Sequence, residues 1–214
     1  MSFLKTHARL ISLNVISLIV FVIVADSVIE GGFRFFDSRT LEFMNVIRVD
    51  AVTNIMLGIS NALSPLYLMV ASLGVLLLCI FYKKKALGFF FILSMVLSIV
   101  SGTILKLYFG IGRPEPTILS VFGPSFPSSH AMTAAVFFLT LLYLVEHKIR
   151  DRMLSSIFAV LSLSLIFFTG LSRIYLGVHW ASDVVGGFAL GFFWTTLSLI
   201  FLKLYEKREN MKVV

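Results

Sequence analysis

The chain is 214 residues long, 58% hydrophobic and only 14% charged, with a net charge of +7. So few charges argue against a soluble domain, and cations gathered at the ends of apolar blocks report membrane orientation rather than a nucleic-acid partner. The single cysteine, Cys79, lies inside an apolar block, which excludes an intramolecular disulfide and a cysteine zinc site and leaves packing as its role.

A helix needs about 20 mostly apolar residues to cross a bilayer. Six blocks follow one another: about Leu10 to Ile29, Ile55 to Tyr82, Leu87 to Lys106, Ala131 to Glu146, Leu154 to Leu171 and Val184 to Leu202. The fourth is short unless it begins in the preceding loop. Lys5 and Arg9 stand ahead of the first block as they would in a signal peptide. That block is long for a signal, and no small-x-small site follows it, so it reads as a retained helix. From Gly31 to Asn54 the chain is neither plainly soluble nor plainly spanning. Leu41, Met44, Ile47, Ala51 and Ile55 recur at helical spacing between Arg39, Glu42, Asn45 and Asp50. This predicts an amphipathic helix in the interface, either a structural collar or a rim that guides a head group. The expected fold is all-α, a polytopic membrane protein with six transmembrane helices and one interfacial helix, forming a single domain over residues 1–214.

Twelve of the 18 Lys and Arg residues fall on the side that holds both termini, the 83–85 turn and the 147–153 loop. Six fall on the other side: Arg34, Arg39, Arg48, Lys106, Arg113 and Arg173. This asymmetry places both termini in the cytoplasm of a plasma (inner) membrane and the remaining loops outside.

Three of the outer cations sit where two long loops meet the membrane. Lys106 ends the third block, Arg113 precedes Pro114, and Arg173 ends the fifth block. Gathered cations repel one another, and a phosphate between them would offset that, its oxygens matching guanidinium forks in pairs. Pro127, Ser128, Ser129 and His130 open the fourth block. Proline suits a first helical position and serine an N-cap, and free N–H groups at a helix start favour an anion. His179 and Asp183, four residues apart, share a helix face if the sixth helix starts there. A carboxylate on one ring nitrogen fixes the tautomer and leaves the other nitrogen the better nucleophile. His7 and His147 fall on the cytoplasmic side, away from this cluster. Asp26 reads as an interfacial acid, and Gly186, Gly187 and Gly191 as a small-residue face for close helix contact, within the monomer or in a dimer.

Lys106-x6-Arg113-Pro114, Pro127-Ser128-Ser129-His130 and Ser172-Arg173-x5-His179-x3-Asp183 together resemble the three-part signature of the type-2 phosphatidic acid phosphatase (PAP2) family. The motifs span residues 106–183, and the six-helix layout extends the resemblance over nearly the whole chain. One position departs: the second part usually reads Pro-Ser-Gly-His, and Ser129 replaces the glycine. A backbone N–H remains there, while the side chain narrows the pocket or adds a hydroxyl.

The resemblance implies a lipid phosphatase with no cofactor and no metal. His179 would attack phosphorus and form a phosphohistidine, with Asp183 orienting it. His130 would protonate the leaving oxygen and then activate water. Lys106, Arg113, Ser128, Ser129 and Arg173 would hold the phosphate oxygens. The implied partners are the bilayer and a lipid phosphate: undecaprenyl diphosphate, phosphatidylglycerol phosphate or phosphatidic acid. The same intermediate could pass its phosphate to a lipid acceptor such as lipid A, and the motifs do not separate the two outcomes. A transporter would need polar residues along several spans, and the span centres hold almost none. Oligomeric state is left open.

Overall fold

The computed structural model describes residues 7–115, 117–146 and 151–212. Lys5, His147, Lys148 and Arg150, which entered the charge count or the histidine survey, lie outside the described residues. Within them the chain is helical: α1 (Ala8–Glu30), α2 (Arg34–Val46), α3 (Asp50–Ala62), α4 (Pro65–Phe81), α5 (Lys85–Phe109), α6 (Ser129–Glu146), α7 (Arg152–Tyr175) and α8 (Ala181–Lys212).

The outer helices bury one stripe and expose the rest. In α1, Ser17, Phe21, Val24 and Ala25 are buried, at the spacing of one helical face. Leu13, Ile16, Val22 and Ile23 are each more than half exposed. Such an apolar outer face suits hydrocarbon and not water. Helix α6 is the reverse case. Every residue from Ala131 to Val136 is fully buried, because α5, α7 and α8 surround it.

The close approach of α6 and α8 depends on the glycines singled out in the sequence. A methyl group on Gly187 would come within 2.6 Å of the Ser128 carbonyl oxygen, and one on Gly191 within 2.7 Å of both the Met132 carbonyl and Ala135 Cβ. One on Gly186 would meet the Phe126 ring at 2.6 Å. The small-residue face is thus used within the chain. Gly191→Leu is expected to destabilise the bundle by about 3 kcal/mol, at the upper end of overpacking costs. Gly74→Ala, where an added methyl group meets nothing within 4 Å, should hold or raise the thermal midpoint in detergent.

The expected span count is not met on length and composition. Among the described residues four helices qualify: α1, α5, α7 and α8. The second expected span is broken between Ala62 and Pro65, and α3 and α4 meet at a bend of 47°. The reason is local. A residue before proline is driven out of the helical region, and Ser64 is extended, with its hydroxyl accepting from Tyr67 N at 3.4 Å as the N-cap of α4. If that pair is one span it is the fifth. Helix α6 is shorter, and its burial inside the bundle lets it remain so. Helix α8 runs past the expected Leu202 to Lys212. The pattern over residues 41–55 is split as well: α2 ends at Val46, and α3 restarts at Asp50 from an extended Val49.

Candidate active site

Helix α5 delivers the first cation. It ends at Gly110, whose φ of +60° places it in the left-handed region, and the Gly110 N–H donates to the Lys106 carbonyl at 3.0 Å. A glycine in this conformation closes a helix without steric cost. Lys106 therefore stands in the last turn, where a cation suits the negative end of the helix dipole. Its Nζ donates to the carbonyls of Pro124 at 3.0 Å and Ser125 at 2.7 Å.

Arg113 folds the following loop around itself. Its Nε donates to the Gly123 carbonyl at 2.9 Å and its Nη2 to that of Pro124 at 3.1 Å. Its Nη1 donates to the Val178 carbonyl at 2.6 Å and lies 3.5 Å from His179 Nε2. One guanidinium thus joins the first and third sequence motifs. Burial pulls it down from its usual value, with the Asp183 charge opposing that, and it stays a cation.

His179 sits in the short connection before α8, and Asp183 in the first turn of that helix. His179 Nδ1 lies 3.1 Å from Asp183 Oδ2. The same oxygen accepts from Trp180 N at 2.9 Å, and Oδ1 accepts from Ser125 Oγ at 3.3 Å. With three donors on its oxygens the carboxylate is fixed in place. Assigning the proton to Nδ1 leaves the lone pair on Nε2, facing Arg113. Both side chains are buried, at 3% and 0% exposure. The carbonyl-lined loop around Arg113 lies against this ring.

Burial, then the charges of Lys106, Arg173 and Arg113, hold the His179 ring well below the usual histidine range, with a bond involving Ser125 opposing. The ring is therefore neutral near pH 7, as a nitrogen nucleophile must be. The unfolded chain accepts this proton near pH 6.5 and the folded chain resists it, so the stability it contributes is present above that pH and is lost as pH falls. The expected loss below pH 6.5 is up to about 1.4 kcal/mol per pH unit from this one group. Thermal midpoints at pH 5 and 7 should differ less in His179→Asn than in the parent.

The second motif differs in detail from the expected cap. Helix α6 begins at Ser129, so Pro127 lies two residues ahead of it and outside the first turn. The Ser128 N–H donates to the Asp183 carbonyl at 3.0 Å, and its own carbonyl accepts from Met132 N. Its hydroxyl is buried without a hydrogen-bond partner. Ser129 enters through its carbonyl, which accepts from Thr133 Oγ1 at 2.8 Å. His130 stands in the first turn of α6, half-buried, and the bond from Ser128 to Asp183 joins the second motif to the third.

Arg173, in the last turn of α7, is 5% exposed. Its Nη1 donates to Ser60 Oγ, and its Nε is buried without a partner. An unpartnered buried polar atom costs about 1–3 kcal/mol. Arg173 Nε and Ser128 Oγ are the two such side-chain atoms among the described residues. Each is a polar group that an oxygen of a bound anion would satisfy.

Several residues around the site were not singled out from the sequence. Asp37 of α2 accepts from Ser182 N at 2.9 Å and from Ser182 Oγ at 2.7 Å, so it holds the start of α8 beside Asp183. Burial pushes its carboxyl upward, and the Ser182 bonds oppose that. Arg48 donates twice to the Tyr175 carbonyl, at 3.1 and 2.9 Å. Ser60 meets Arg173, and Met44 and Met56 pack with Tyr175, Leu176 and Val178. The α2–α3 segment thus clamps the third motif at three points. Ser125 was findable from its position just ahead of the second motif. Asp37 and Ser60 carry no local signal, because their partners lie more than 100 residues away in the chain.

The PAP2 superfamily profile matches residues 87–207. The chain is 32% identical over 144 residues to phosphatidylglycerophosphatase B of Bacillus subtilis, covering 63% of this chain and 65% of that protein. It is 32% identical over 130 residues to the undecaprenyl-diphosphatase of Sulfolobus acidocaldarius, covering 58% and 59%. The match therefore spans less than two thirds of either relative. The crystal structure of a transmembrane PAP2-type phosphatidylglycerolphosphate phosphatase from Bacillus subtilis aligns with a TM-score of 0.80 at 26% identity, over 88% of this chain and 94% of that one. Aquifex aeolicus LpxE aligns at 0.63 and 20% identity, over 77% and 94%, a likeness of fold. With the profile covering more than half of its length and all three motifs inside or beside one another in space, the chain belongs to the PAP2 superfamily.

Proposed function

We propose that this chain is a membrane-embedded lipid phosphatase that works through a phosphohistidine. The observation that carries the reading is the line from Asp183 Oδ2 through His179 Nδ1 to Nε2 and on to Arg113 Nη1. The Nε2 lone pair attacks phosphorus, the P–N bond forms, and the bond from phosphorus to the leaving oxygen breaks. His130 gives that oxygen a proton, then takes one from the water that cleaves the P–N bond and frees phosphate. Lys106 and Arg113 exchange neutral carbonyl partners for phosphate oxygens, Arg173 offers its unpartnered Nε, and the charge-assisted bonds so made are the stronger kind. Stabilising the charge on the transferring group is usually the largest share of such catalysis.

The names of the similar proteins favour phosphatidylglycerol phosphate and undecaprenyl diphosphate over phosphatidic acid as substrate. We read the bent α3–α4 pair as one crossing and α6 as the sixth, with both termini cytoplasmic and the site at the outer leaflet. A head group then reaches it from the bilayer. Reaction at one purified site settles the activity: phosphate release from each of the three lipids in detergent, with His179→Asn as the blank. Release above the blank from one lipid supports the hydrolase and names its substrate. Release from none, followed by transfer to an added acceptor lipid, replaces it with a phosphotransferase. Chelator in every tube is expected to leave the rate unchanged, since three cations hold the phosphate in this reading. Strong inhibition reversed by magnesium would count against it.

A further inference from the structure

The end of the bundle opposite the candidate active site carries a second feature that the reaction does not use. A cleft of about 460 Å³ opens between the α4–α5 turn, the C-terminal end of α6 and α8. This is within the size range of small-molecule sites. Its walls are apolar, formed by Leu78, Leu141, Leu144 and Leu202 among others. Its rim is cationic: Lys83, Lys84, Lys85 and Lys203 against the single acid Glu206. That acid is already bonded to Lys203 at 3.0 Å.

The turn that presents the three consecutive lysines is unusual in two ways. Lys83 has φ +59°, a conformation that a non-glycine residue rarely adopts. Lys84 is the N-cap of α5 and makes no side-chain cap, and no acid stands in the first turn of that helix. Cations are the wrong sign for a helix N-terminus, and the first-turn N–H groups have no intrahelical acceptor. The sequence therefore brings three charges and a set of donors to one rim, where Glu206 is the one acid among the described lining residues, directly above an apolar cleft.

We propose that this cleft binds one anionic phospholipid of the leaflet opposite the active site, with its phosphate on the Lys83–Lys85 turn and an acyl chain along the leucine-lined wall. Charge complementarity selects the head group, and the apolar walls select a lipid over a soluble anion. Basic pockets between membrane helices suit such head groups, each lysine adding to the attraction. The cleft and the candidate active site lie at the two ends of α5, about 30 Å apart. The bound lipid is therefore not a substrate in transit, and the proposal stands whichever phosphate ester the other end cleaves.

The test is native mass spectrometry of the full chain in neutral detergent, titrated with phosphatidylglycerol, phosphatidylcholine or glycerol phosphate. The expected result is one phosphatidylglycerol bound at least about tenfold more tightly than phosphatidylcholine and not displaced by glycerol phosphate. Lys83→Gln/Lys84→Gln/Lys85→Gln should remove the preference. Ala86→Phe, which fills the cleft and keeps every lysine, should remove binding. Arg173→Lys, at the other end, should bind phosphatidylglycerol like the parent, and the triple variant should keep the parent's phosphate release and thermal midpoint. Equal affinity for the two phospholipids, or an unchanged triple variant, overturns the site. Displacement by glycerol phosphate assigns the lysines to a soluble anion and overturns the lipid claim.

Discussion

His179→Asn is expected to lower phosphate release by at least about 10⁴-fold, leaving only what binding and charge stabilisation supply without a nucleophile. Asparagine is preferred to alanine because the position is buried. Alanine would strip one of the three donors from the buried Asp183 carboxylate, at a cost of about 1–3 kcal/mol, and the loss of activity could then be laid to misfolding. Asparagine keeps a donor near Oδ2 and lets the fold be checked independently by its thermal midpoint at pH 7. Asp183→Asn should lower the rate by about 10⁴-fold, since it frees His179 to take the wrong tautomer. Quenching in alkaline detergent during turnover of lipid labelled in the phosphate should trap base-stable, acid-labile label on the parent protein and none on His179→Asn. Label on that variant, or turnover close to the parent's, would place the nucleophile elsewhere. His130→Ala should still take up label, more slowly than the parent and releasing it slowly, because His179 remains to attack while both half-reactions lose their proton carrier.

The parts of this site legible in the sequence are those whose geometry is local. His179 and Asp183 sit four residues apart, and the turn into a helix that brings their side chains together is encoded by the spacing. Lys106 and Arg173 mark helix ends because cations end apolar blocks, and both are found in last turns. The glycines of α8 were legible as a small-residue face because close helix contact has that composition. What could not be read is what depends on distant partners. Asp37 carries no signal of its own until Ser182 arrives beside it. Arg113 reads as one of three phosphate-holding cations, but the span of its guanidinium from Gly123 to Val178 belongs to the folded loop and not to the spacing. The continuous apolar run over residues 55–82 gives no weight to a single Ser-Pro pair, yet the backbone rule at that pair bends the helix. Burial of His179 is likewise a property of the folded loop, and hydropathy has no view of it.

Arg173→Lys is expected to lower kcat/KM by about 10²–10³-fold, the scale of losing one fixed donor to a developing charge. The substitution keeps the positive charge and so separates two accounts of this position. If Arg173 served only to attract an anion, lysine would serve nearly as well. If it serves as a fork, one branch is held by Ser60 Oγ and the unpartnered Nε is left to donate to a phosphate oxygen; lysine cannot then reproduce the direction of the donor. Ser60→Ala tests the same point from behind. It touches no phosphate in this reading and acts only by releasing Nη1, so a loss of about tenfold in kcat, with KM little changed, is expected for a positioning residue. The double variant should be no worse than Arg173→Lys alone, because two changes acting through one side chain do not add. A fully active Arg173→Lys enzyme would remove the fork from the mechanism. Additive losses would show that Ser60 matters for the fold of α3 against α7 rather than for the aim of the guanidinium. The α2–α3 segment would then be a structural collar. Non-additive losses would make it the part of the molecule that sets the third motif in register with the phosphate.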